Sequence, residues 1–415
     1  MNRVIILVGS LLFLFNCSKV KKGYQDKISY FPSETIDVFL EGSSKGSISI
    51  DLLDINKNKI DEVYIDIFTQ PEVDTSSWYK KGYQYKKTFS YSPSKLKSGI
   101  YRFENSSPFV IKNPEKKNDV LVIFPSNTDN AYNKDGGRSS YTKPKGDTLS
   151  FKRPFAVQGY AHEFLKWLPT QSFDVDYICD RDMEYYENIE NYKVIIIPGH
   201  NEYWTRKARR NFDKFVNNGG HSLVLSANTM WWQVRYFEDK MVCHKIDSLD
   251  TTVPDSLKTV KWTNELLDYQ TINSIGADFN RGGYGEREDR GWDGYKIISS
   301  SPLFENTGIK IGDILSIPSK EYDGLPVIFK NEIPVLDTTI ITFYKHRILG
   351  FDKAFRGKEG YGTLFLFQKT KQSGIIVNAG TTNWCSDGFT ERDADKIKKL
   401  TYNFIDFLVN DKSVF

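Results

Sequence analysis

Short apolar stretches with the spacing of β-strands dominate the first quarter of the chain. Residues 35–40, 47–52 and 63–68 alternate between apolar and polar positions or run apolar over the length of a strand. Segments rich in Gly, Ser and Asn separate them, as expected for turns. The pattern predicts a small immunoglobulin-like β-sandwich domain over residues 23–115.

The pattern changes after residue 115. Residues 120–124 are apolar throughout, which is typical of a parallel strand covered on both faces. Further strands of this kind are expected at 175–178, 193–197, 222–225 and 374–378, and helices at 157–168, 205–218 and 394–409. Strands that alternate with helices predict an α/β domain over residues 116–415. We expect a mostly parallel three-layer sheet of the class I glutamine-amidotransferase or flavodoxin-like kind, with long functional loops and extra strands in 229–373.

The amino terminus is predicted to be a targeting segment. Arg3 precedes an uncharged, mostly apolar run that ends shortly before Cys17, and basic residues follow. This arrangement resembles a bacterial lipoprotein signal, so residues 1–16 are expected to be removed, Cys17 to be acylated and 17–22 to link the anchor to the fold. The alternative is an uncleaved signal anchor. The signal predicts a cell-envelope location through a lipid anchor, at the outer membrane or facing the periplasm.

Composition excludes two classes of protein. Lys and Arg number 56 and Asp and Glu 53, so the chain lacks the concentrated positive charge by which nucleic-acid proteins neutralise phosphates. There are four Cys, and acylation of Cys17 would leave Cys179, Cys243 and Cys385, which allow at most one disulfide. A disulfide scaffold is therefore not expected, nor a nucleic-acid partner.

Polar residues and aromatic rings follow four of the predicted strands. They occupy the segments 130–133 with 136–141, 200–204, 228–232 and 381–384. Ligands of open α/β sheets bind beyond the carboxyl ends of the strands, so these segments are expected to share one pocket. His200 and Glu202 have the chemistry to approach a metal. The residues alone leave other roles open, because His200 fits a hydrogen bond to a neighbouring loop and Glu202 fits the positive end of a helix.

Six blocks of sequence then point to one family by their order along the chain. They are Ser98-Gly99-Ile100-Tyr101, Asn130-Ala131-Tyr132-Asn133, Gly199-His200-Asn201-Glu202-Tyr203-Trp204, Asn228-Thr229-Met230-Trp231-Trp232, Met241-Val242-Cys243-His244-Lys245 and Asn378-Ala379-Gly380-Thr381-Thr382-Asn383-Trp384. The series resembles the C-terminal half of the large (beta) subunit of N,N-dimethylformamidase, over residues 95–385.

The resemblance implies hydrolysis of an amide C–N bond at a mononuclear Fe(III) centre held by two tyrosines and one glutamate. By motif, Tyr101 corresponds to the first tyrosine, Tyr132 to the second and Glu202 to the carboxylate. Phenolate and carboxylate oxygens are hard donors suited to a hard trivalent cation. With Tyr101 in the sandwich domain and the other two ligands in the α/β domain, the metal is expected to clamp the two domains together.

The resemblance also implies a polar catalytic shell around the metal. Its expected members are His200, Asn228, Lys245 and Glu321. His200 or Glu321 is expected to act as general acid or base, and Asn228 or Lys245 to stabilise the oxyanion. Tyr203 and Trp204 are expected only to pack.

The sequence therefore predicts an exported lipoprotein that hydrolyses an amide-type C–N bond of a small molecule with iron as cofactor. One alternative is a non-catalytic binding or structural lipoprotein that retains the fold. Another is a hydrolase of the same architecture that uses a different metal or none.

Overall fold

The structure is a computed structural model that describes residues 19–116, 118–157, 159–285 and 293–415. The predicted signal segment 1–16 and the predicted acylation site Cys17 lie outside the described residues. Over the described ranges, no helix has the length and apolar character needed to cross a membrane. Cys179, Cys243 and Cys385 are buried free thiols.

Strands supply most of the regular structure. In chain order, the described residues form β1 (Val20–Gln25), β2 (Ser29–Tyr30), β3 (Ile36–Gly42), β4 (Gly46–Asp54), β5 (Lys59–Ile67), β6 (Phe89–Tyr91), β7 (Gly99–Phe103), β8 (Phe109–Ile111), β9 (Val120–Phe124), β10 (Thr148–Ser150), β11 (Val175–Cys179), β12 (Val194–Gly199), β13 (Tyr203–Thr205), β14 (His221–Ser226), β15 (Trp232–Phe237), β16 (Lys240–Val242), β17 (Asp278–Tyr284), β18 (Gly294–Ile297), β19 (Ile314–Ser316), β20 (Glu321–Gly324), β21 (Val327–Lys330), β22 (Ile333–Leu336), β23 (Lys345–Phe355), β24 (Glu359–Gln368) and β25 (Ile375–Asn378). The α-helices among the same residues are α1 (Trp78–Lys81), α2 (Ser126–Tyr132), α3 (Gly159–Trp167), α4 (Arg206–Asn217), α5 (Ile272–Ile275), α6 (Asp387–Thr390) and α7 (Ala394–Val409).

Two sheets share a core in the amino-terminal part. One has the strand order β1-β3-β6 and the other the order β2-β8-β7-β4-β5. Tyr30, Leu40, Leu52, Phe103 and Phe109 are completely buried between them. Alternate residues of β3 are buried, which is why its sequence pattern is recognisable as a strand.

An eleven-stranded sheet forms the rest of the framework. Its order is β11-β9-β12-β14-β25-β24-β23-β17-β20, and β18 and β19 pair beside β23. The five strands from β11 to β25 are mutually parallel. Helices α3 and α7 pack on one face and α4 on the other, so alternate residues of β9 and β12 enter two separate hydrophobic cores.

The predicted mostly parallel three-layer fold of the class I glutamine-amidotransferase or flavodoxin-like kind is wrong. Strands make up 35% and helices 20% of the structure, in several mixed sheets. From β24 onward the large sheet continues antiparallel, and these strands come from the segment 229–373. A buried apolar run shows that both faces of a strand are covered, but it carries no information on the direction of the neighbouring strand.

Residues from both halves of the sheet lie beyond the carboxyl ends of the parallel strands. The segments that follow β9, β12, β14 and β25 lie at this carboxyl edge, as expected for strands that run in one direction. The antiparallel strand β20 reaches the same edge, because Tyr322 forms an isolated bridge with Thr381 and Asp323 donates its backbone N–H to Gly380 O.

Candidate functional site

Five side chains meet at the carboxyl edge of the parallel strands and are here called the Glu202 cluster. Its members are Tyr132, Tyr141, His200, Glu202 and Glu321. Tyr132 is the last residue of α2, His200 and Glu202 follow β12, and Glu321 begins β20. The parallel half of the sheet therefore supplies most of the cluster, and the antiparallel half supplies Glu321.

Glu202 is the centre of the cluster and is only 2% exposed. Its carboxylate accepts hydrogen bonds from Tyr132 Oη at 3.2 Å, from Tyr141 Oη at 2.9 and 2.8 Å, and from Trp232 Nε1 at 2.8 Å. Its backbone N–H donates to Thr128 Oγ1 at 2.9 Å. Three donors from three segments fix the carboxylate, which compensates for its removal from water.

His200 is oriented by the loop that follows β14. Its Nδ1 lies 3.1 Å from Ala227 O, so in the neutral ring Nδ1 carries the proton and donates to this carbonyl. The other nitrogen, Nε2, lies 3.2 Å from Tyr132 Oη, 3.5 Å from Glu202 Oε2 and 3.6 Å from Glu321 Oε2. Nε2 is thus left as a proton acceptor that faces the cluster.

Asn228 links the two halves of the sheet. Its backbone is left-handed, with φ 52°, and its N–H donates to Asp323 Oδ1 at 2.9 Å, while Thr229 N–H donates to Asp323 Oδ2 at 3.1 Å. The Asn228 side chain donates to Glu321 Oε2 at 3.3 Å. Burial raises the pKa of Glu321; His200 opposes this shift and the Glu202 charge adds to it. Glu321 therefore holds a proton more readily than an exposed glutamate.

Lys245 reaches the cluster through Tyr203. Its Nζ donates to Tyr203 Oη at 2.8 Å, and Tyr203 Oη donates to Tyr141 Oη at 2.7 Å. Nζ also lies 3.9 Å from the ring centroid of Tyr141, and burial lowers the pKa of the ammonium group. Tyr203, which the sequence suggested only packs, is thus part of a hydrogen-bonded chain. Trp204 does pack, in the core beneath α4.

Tyr101 lies apart from these residues. It is in β7, its hydroxyl donates to Lys97 O at 3.0 Å, and its ring is 6.2 Å from that of Phe109. The structure therefore does not bring Tyr101 together with Tyr132 and Glu202, and the expected clamp between domains is not formed by it.

Tyr141 belongs to the segment 136–141 that was expected at the pocket, but the sequence did not single it out as a site residue. Its ring stacks on that of Tyr132, with centroids 4.3 Å apart, and its hydroxyl is bonded to both oxygens of Glu202. It ends a polar segment that begins with Gly136-Gly137, and no local motif marks it. The helix α2 and the loop after it bring this tyrosine beside Tyr132.

The oxygens of Tyr132, Tyr141 and Glu202 form a donor set that fits a hard cation. The contacts of the two hydroxyls with the carboxylate are between 2.8 and 3.2 Å, so the three groups approach one point. In the parts of the chain that the structure describes, no three His, Cys, Asp or Glu residues are arranged to hold a metal ion. A metal at this place would therefore depend on tyrosine oxygens. Burial raises the pKa of both phenols well above the ordinary value, so a cation is needed to stabilise the phenolates.

One family model matches most of the chain. The family described as N,N-dimethylformamidase beta subunit-like, C-terminal, matches residues 66–388. A search of the curated proteins finds no sequence match.

Likenesses to solved structures are weak. A beta-galactosidase from Rahnella sp. R3 gives a TM-score of 0.35 at 12% identity, and the match covers 70% of this chain and 31% of that protein. A beta-galactosidase from Bacillus circulans gives 0.34 at 12% identity, with 70% and 31% covered. A ThuA-like protein from Bacteroides uniformis gives 0.35 at 11% identity, with 71% and 92% covered. The chain thus spans under a third of the two galactosidases, and these likenesses carry no argument about function.

Proposed function

The chain belongs to the N,N-dimethylformamidase beta subunit-like, C-terminal family, and from this premise we propose that it hydrolyses an amide-type C–N bond at the Glu202 cluster. The observation that carries the proposal is the convergence of Tyr132, Tyr141 and Glu202 beside His200. Two tyrosines and one glutamate are the ligand set that the family resemblance implies. The proposal replaces Tyr101 by Tyr141, because Tyr141 is hydrogen-bonded to Glu202 whereas the hydroxyl of Tyr101 is bonded to Lys97 O.

Fe(III) is the proposed cofactor, with Tyr132, Tyr141 and Glu202 as its ligands. Two phenolates and one carboxylate balance its three positive charges, which offsets the cost of burying the ion. When bound, the ion supplies Lewis acidity, which polarises a carbonyl group and lowers the pKa of water. Trp232 Nε1 and Thr128 Oγ1 keep Glu202 in position for this role.

Two residues of the protein carry out the proton transfers of the reaction, one as general base and one as general acid. His200 Nε2 accepts a proton from the water whose oxygen attacks the carbonyl carbon, since Nδ1 is held by Ala227 O. Glu321, with its raised pKa, gives a proton to the amide nitrogen as the C–N bond breaks. Asn228 holds the Glu321 carboxyl in place. The products are a carboxylic acid and an amine, so one water molecule is consumed for each bond cleaved.

The exposure of the cluster fits a small substrate. Glu202 and His200 are 2% and 4% exposed, whereas the Glu321 side chain is 19% and Tyr141 42% exposed. A substrate therefore has to approach between Glu321 and the ring of Tyr141.

We also propose that the protein is a lipoprotein of the cell envelope, anchored by acylated Cys17. The support is the apolar run after Arg3 that ends before Cys17 and the basic residues beyond it.

The test of the proposed function is iron content together with hydrolysis. The full chain, purified in detergent without chelators and loaded with ferric iron, should bind one iron per chain and develop a visible phenolate-to-iron band. It should then release amine from small formyl amides. A colourless protein that binds no iron and releases no amine would favour the non-catalytic binding or structural protein instead.

A further inference from the structure

Arg356 is a partly exposed cation beside the site, and its side chain stacks on two aromatic rings. It lies in the turn after β23, with its Cζ 4.4 Å from the ring centroid of Trp231 and 4.5 Å from that of Phe279. Its Nη1 is buried and has no hydrogen-bond partner among the described residues. Stacking on the two rings orients the planar guanidinium group, but it satisfies none of its N–H donors.

The two arginines that are fully buried among the described residues, by contrast, have hydrogen-bond acceptors. Arg153, which is fully buried, donates to Asn130 O at 2.8 Å and to Asp135 O at 2.7 Å, among other acceptors. Arg209 donates to Tyr269 O at 2.6 Å and to Ser274 Oγ at 2.9 Å. Arg356 as a whole is partly exposed, but its Nη1 is buried, and a buried donor without an acceptor costs free energy. The unpaired Nη1 is therefore a position where an acceptor from outside the protein can bind.

A second cation lies against the same tryptophan. Lys261 Nζ is 5.1 Å from the ring centroid of Trp231, and no hydrogen bond or ion pair joins its ammonium group to another described residue. The positive charge of Arg356 lowers the pKa of Lys261, in addition to the larger effect of burial. Two neighbouring cations therefore repel each other in the free protein, and a bound anion would relieve the repulsion.

The two cations adjoin the Glu202 cluster. Trp231 donates its backbone N–H to Glu202 O at 2.8 Å. Arg356 is also within electrostatic reach of Glu321, because its charge lowers the pKa of that residue. Tyr284, which is 50% exposed, is within reach of both Arg356 and Glu321. The ring of Phe279, on which Arg356 stacks, lies 5.1 Å from that of Tyr284, so the guanidinium group is a neighbour of this exposed tyrosine.

We infer that Arg356 and Lys261 form a subsite for the carboxylate of the substrate, which makes the substrate class an amide that carries a carboxylate group, such as an N-acyl amino acid. The inference rests on the proposed amide hydrolysis at the Glu202 cluster. The fork of a guanidinium group matches a carboxylate in two parallel hydrogen bonds, and Lys261 adds a point charge. The carboxylate would hold the amide bond toward Glu321 and His200.

The experiment compares two probes that differ only in charge. N-formylglycine carries a carboxylate and N-formylglycinamide is neutral, and their affinities for the full chain are measured by calorimetry at pH 7. The variants are Arg356→Gln and, as a matched control that loses one positive charge from β23, Lys353→Gln, whose side chain is exposed. We expect N-formylglycine to bind at least about tenfold more weakly to R356Q, since the variant loses a charge-assisted hydrogen bond to the carboxylate. K353Q should bind it like the unmodified chain, and N-formylglycinamide should not distinguish the three proteins.

Equal binding of the two probes by the unmodified chain, or unchanged binding of N-formylglycine by R356Q, would overturn the inference. If R356Q does not fold, Lys261→Gln serves as the second variant, with a several-fold loss expected for N-formylglycine only. Amine release from N-formylglycinamide is followed in parallel. Hydrolysis without carboxylate selectivity removes the subsite and leaves the proposed function, whereas carboxylate-selective binding without hydrolysis supports the subsite and removes the proposed function.

Discussion

The hydroxyl of Tyr141 lies 2.9 and 2.8 Å from the two carboxylate oxygens of Glu202. The two residues are 61 positions apart in the sequence, and the stacked ring of Tyr132 lies beside them. This contact identifies Tyr141 as a tyrosine that can bind the same cation as Glu202. Tyr132 and Tyr141 are placed to share a cation with Glu202, whereas Tyr101 is not.

Replacement of Tyr141 by Phe should abolish iron binding and the visible band together. Phe keeps the ring that stacks on Tyr132 and removes only the oxygen. Tyr101→Phe is the matched control, because it removes a hydroxyl that is bonded to Lys97 O and should leave the iron content unchanged. Metal analysis and visible absorption of the two loaded variants give the answer. Iron retained by Y141F and lost by Y101F would reverse the ligand assignment.

Replacement of His200 by Gln should reduce kcat and leave the iron bound. General-base catalysis contributes about 10²–10⁴-fold, so a loss in that range is expected in amine release. His162→Gln is the control, since His162 is in α3 and only partly buried. Loss of iron from H200Q would show that His200 holds the site together rather than moving a proton.

Replacement of Arg153 by Met should strongly destabilise the fold. Its guanidinium group donates to the carbonyls of Asn130, Asn133, Asp135 and Arg138. These hydrogen bonds fix the loop between Tyr132 and Tyr141. Without it several buried acceptors lose their donor, so we expect a loss of at least about 3 kcal/mol in the free energy of unfolding.

Urea denaturation measures this loss. The control is Arg347→Met, which removes one exposed hydrogen bond to Ser300 O and should change stability by no more than about 0.5 kcal/mol. Similar midpoints for the two variants would contradict the role given to Arg153.

The ion pair of Asp250 with Arg235 should make stability depend on acid pH. Arg235 donates to both carboxylate oxygens at 2.7 and 2.8 Å. These bonds and those from Thr259 lower the pKa of Asp250 to about 2 from 3.8, against the opposing effect of burial. The folded pKa is lower than the unfolded one, so the stabilisation is complete above about pH 4 and disappears as the pH falls through about 2.

Asp250→Asn tests this dependence. The variant should be less stable than the unmodified chain by up to about 2 kcal/mol at pH 6, and the difference should shrink between pH 4 and pH 2. Thermal or urea unfolding of both proteins at pH 6 and at pH 2 measures this difference in stability. A difference that stays constant with pH would show that the amide alters packing and not an ion pair.

Acylation at Cys17 is expected to be lost in Cys17→Ala. Cells that express each chain are labelled with a fatty-acid analogue, and the unmodified chain should carry the label while C17A does not. Cys243→Ala is a suitable control because Cys243 is buried in the fold. Equal labelling of C17A and the unmodified chain would disprove the anchor.

The elements that sequence predicts best are those whose pattern is set by local packing. The strand 120–124 and the helix 394–409 have the predicted bounds in the structure. Thr205 caps α4 as expected, since its side chain accepts from Ala208 N–H at 3.1 Å. In each case the apolar positions or the capping residue lie within the element itself.

The sheet direction and the second tyrosine depend on contacts between distant residues. β23 and β24 are long and mostly buried, a pattern that parallel strands also show. They are antiparallel because they pair with each other across the turn at Gly357. Tyr141 has no motif of its own and joins the site through a loop that Arg153 holds. Sequence brought out His200, Glu202 and Asn228 because they directly follow strong parallel strands.

The position of β25 has a consequence for the order in which a newly made chain can fold. This strand lies in the sheet between β14 and β24, so it joins the parallel half to the antiparallel half, yet it is the last strand along the sequence. A chain still under synthesis therefore lacks the strand that joins the two halves until every other strand of the sheet has been translated. Pairing of β25 with β14 closes a long loop, because the antiparallel strands lie between them in the sequence, and such non-local pairing is slow. The parallel and antiparallel halves should therefore be joined late in folding.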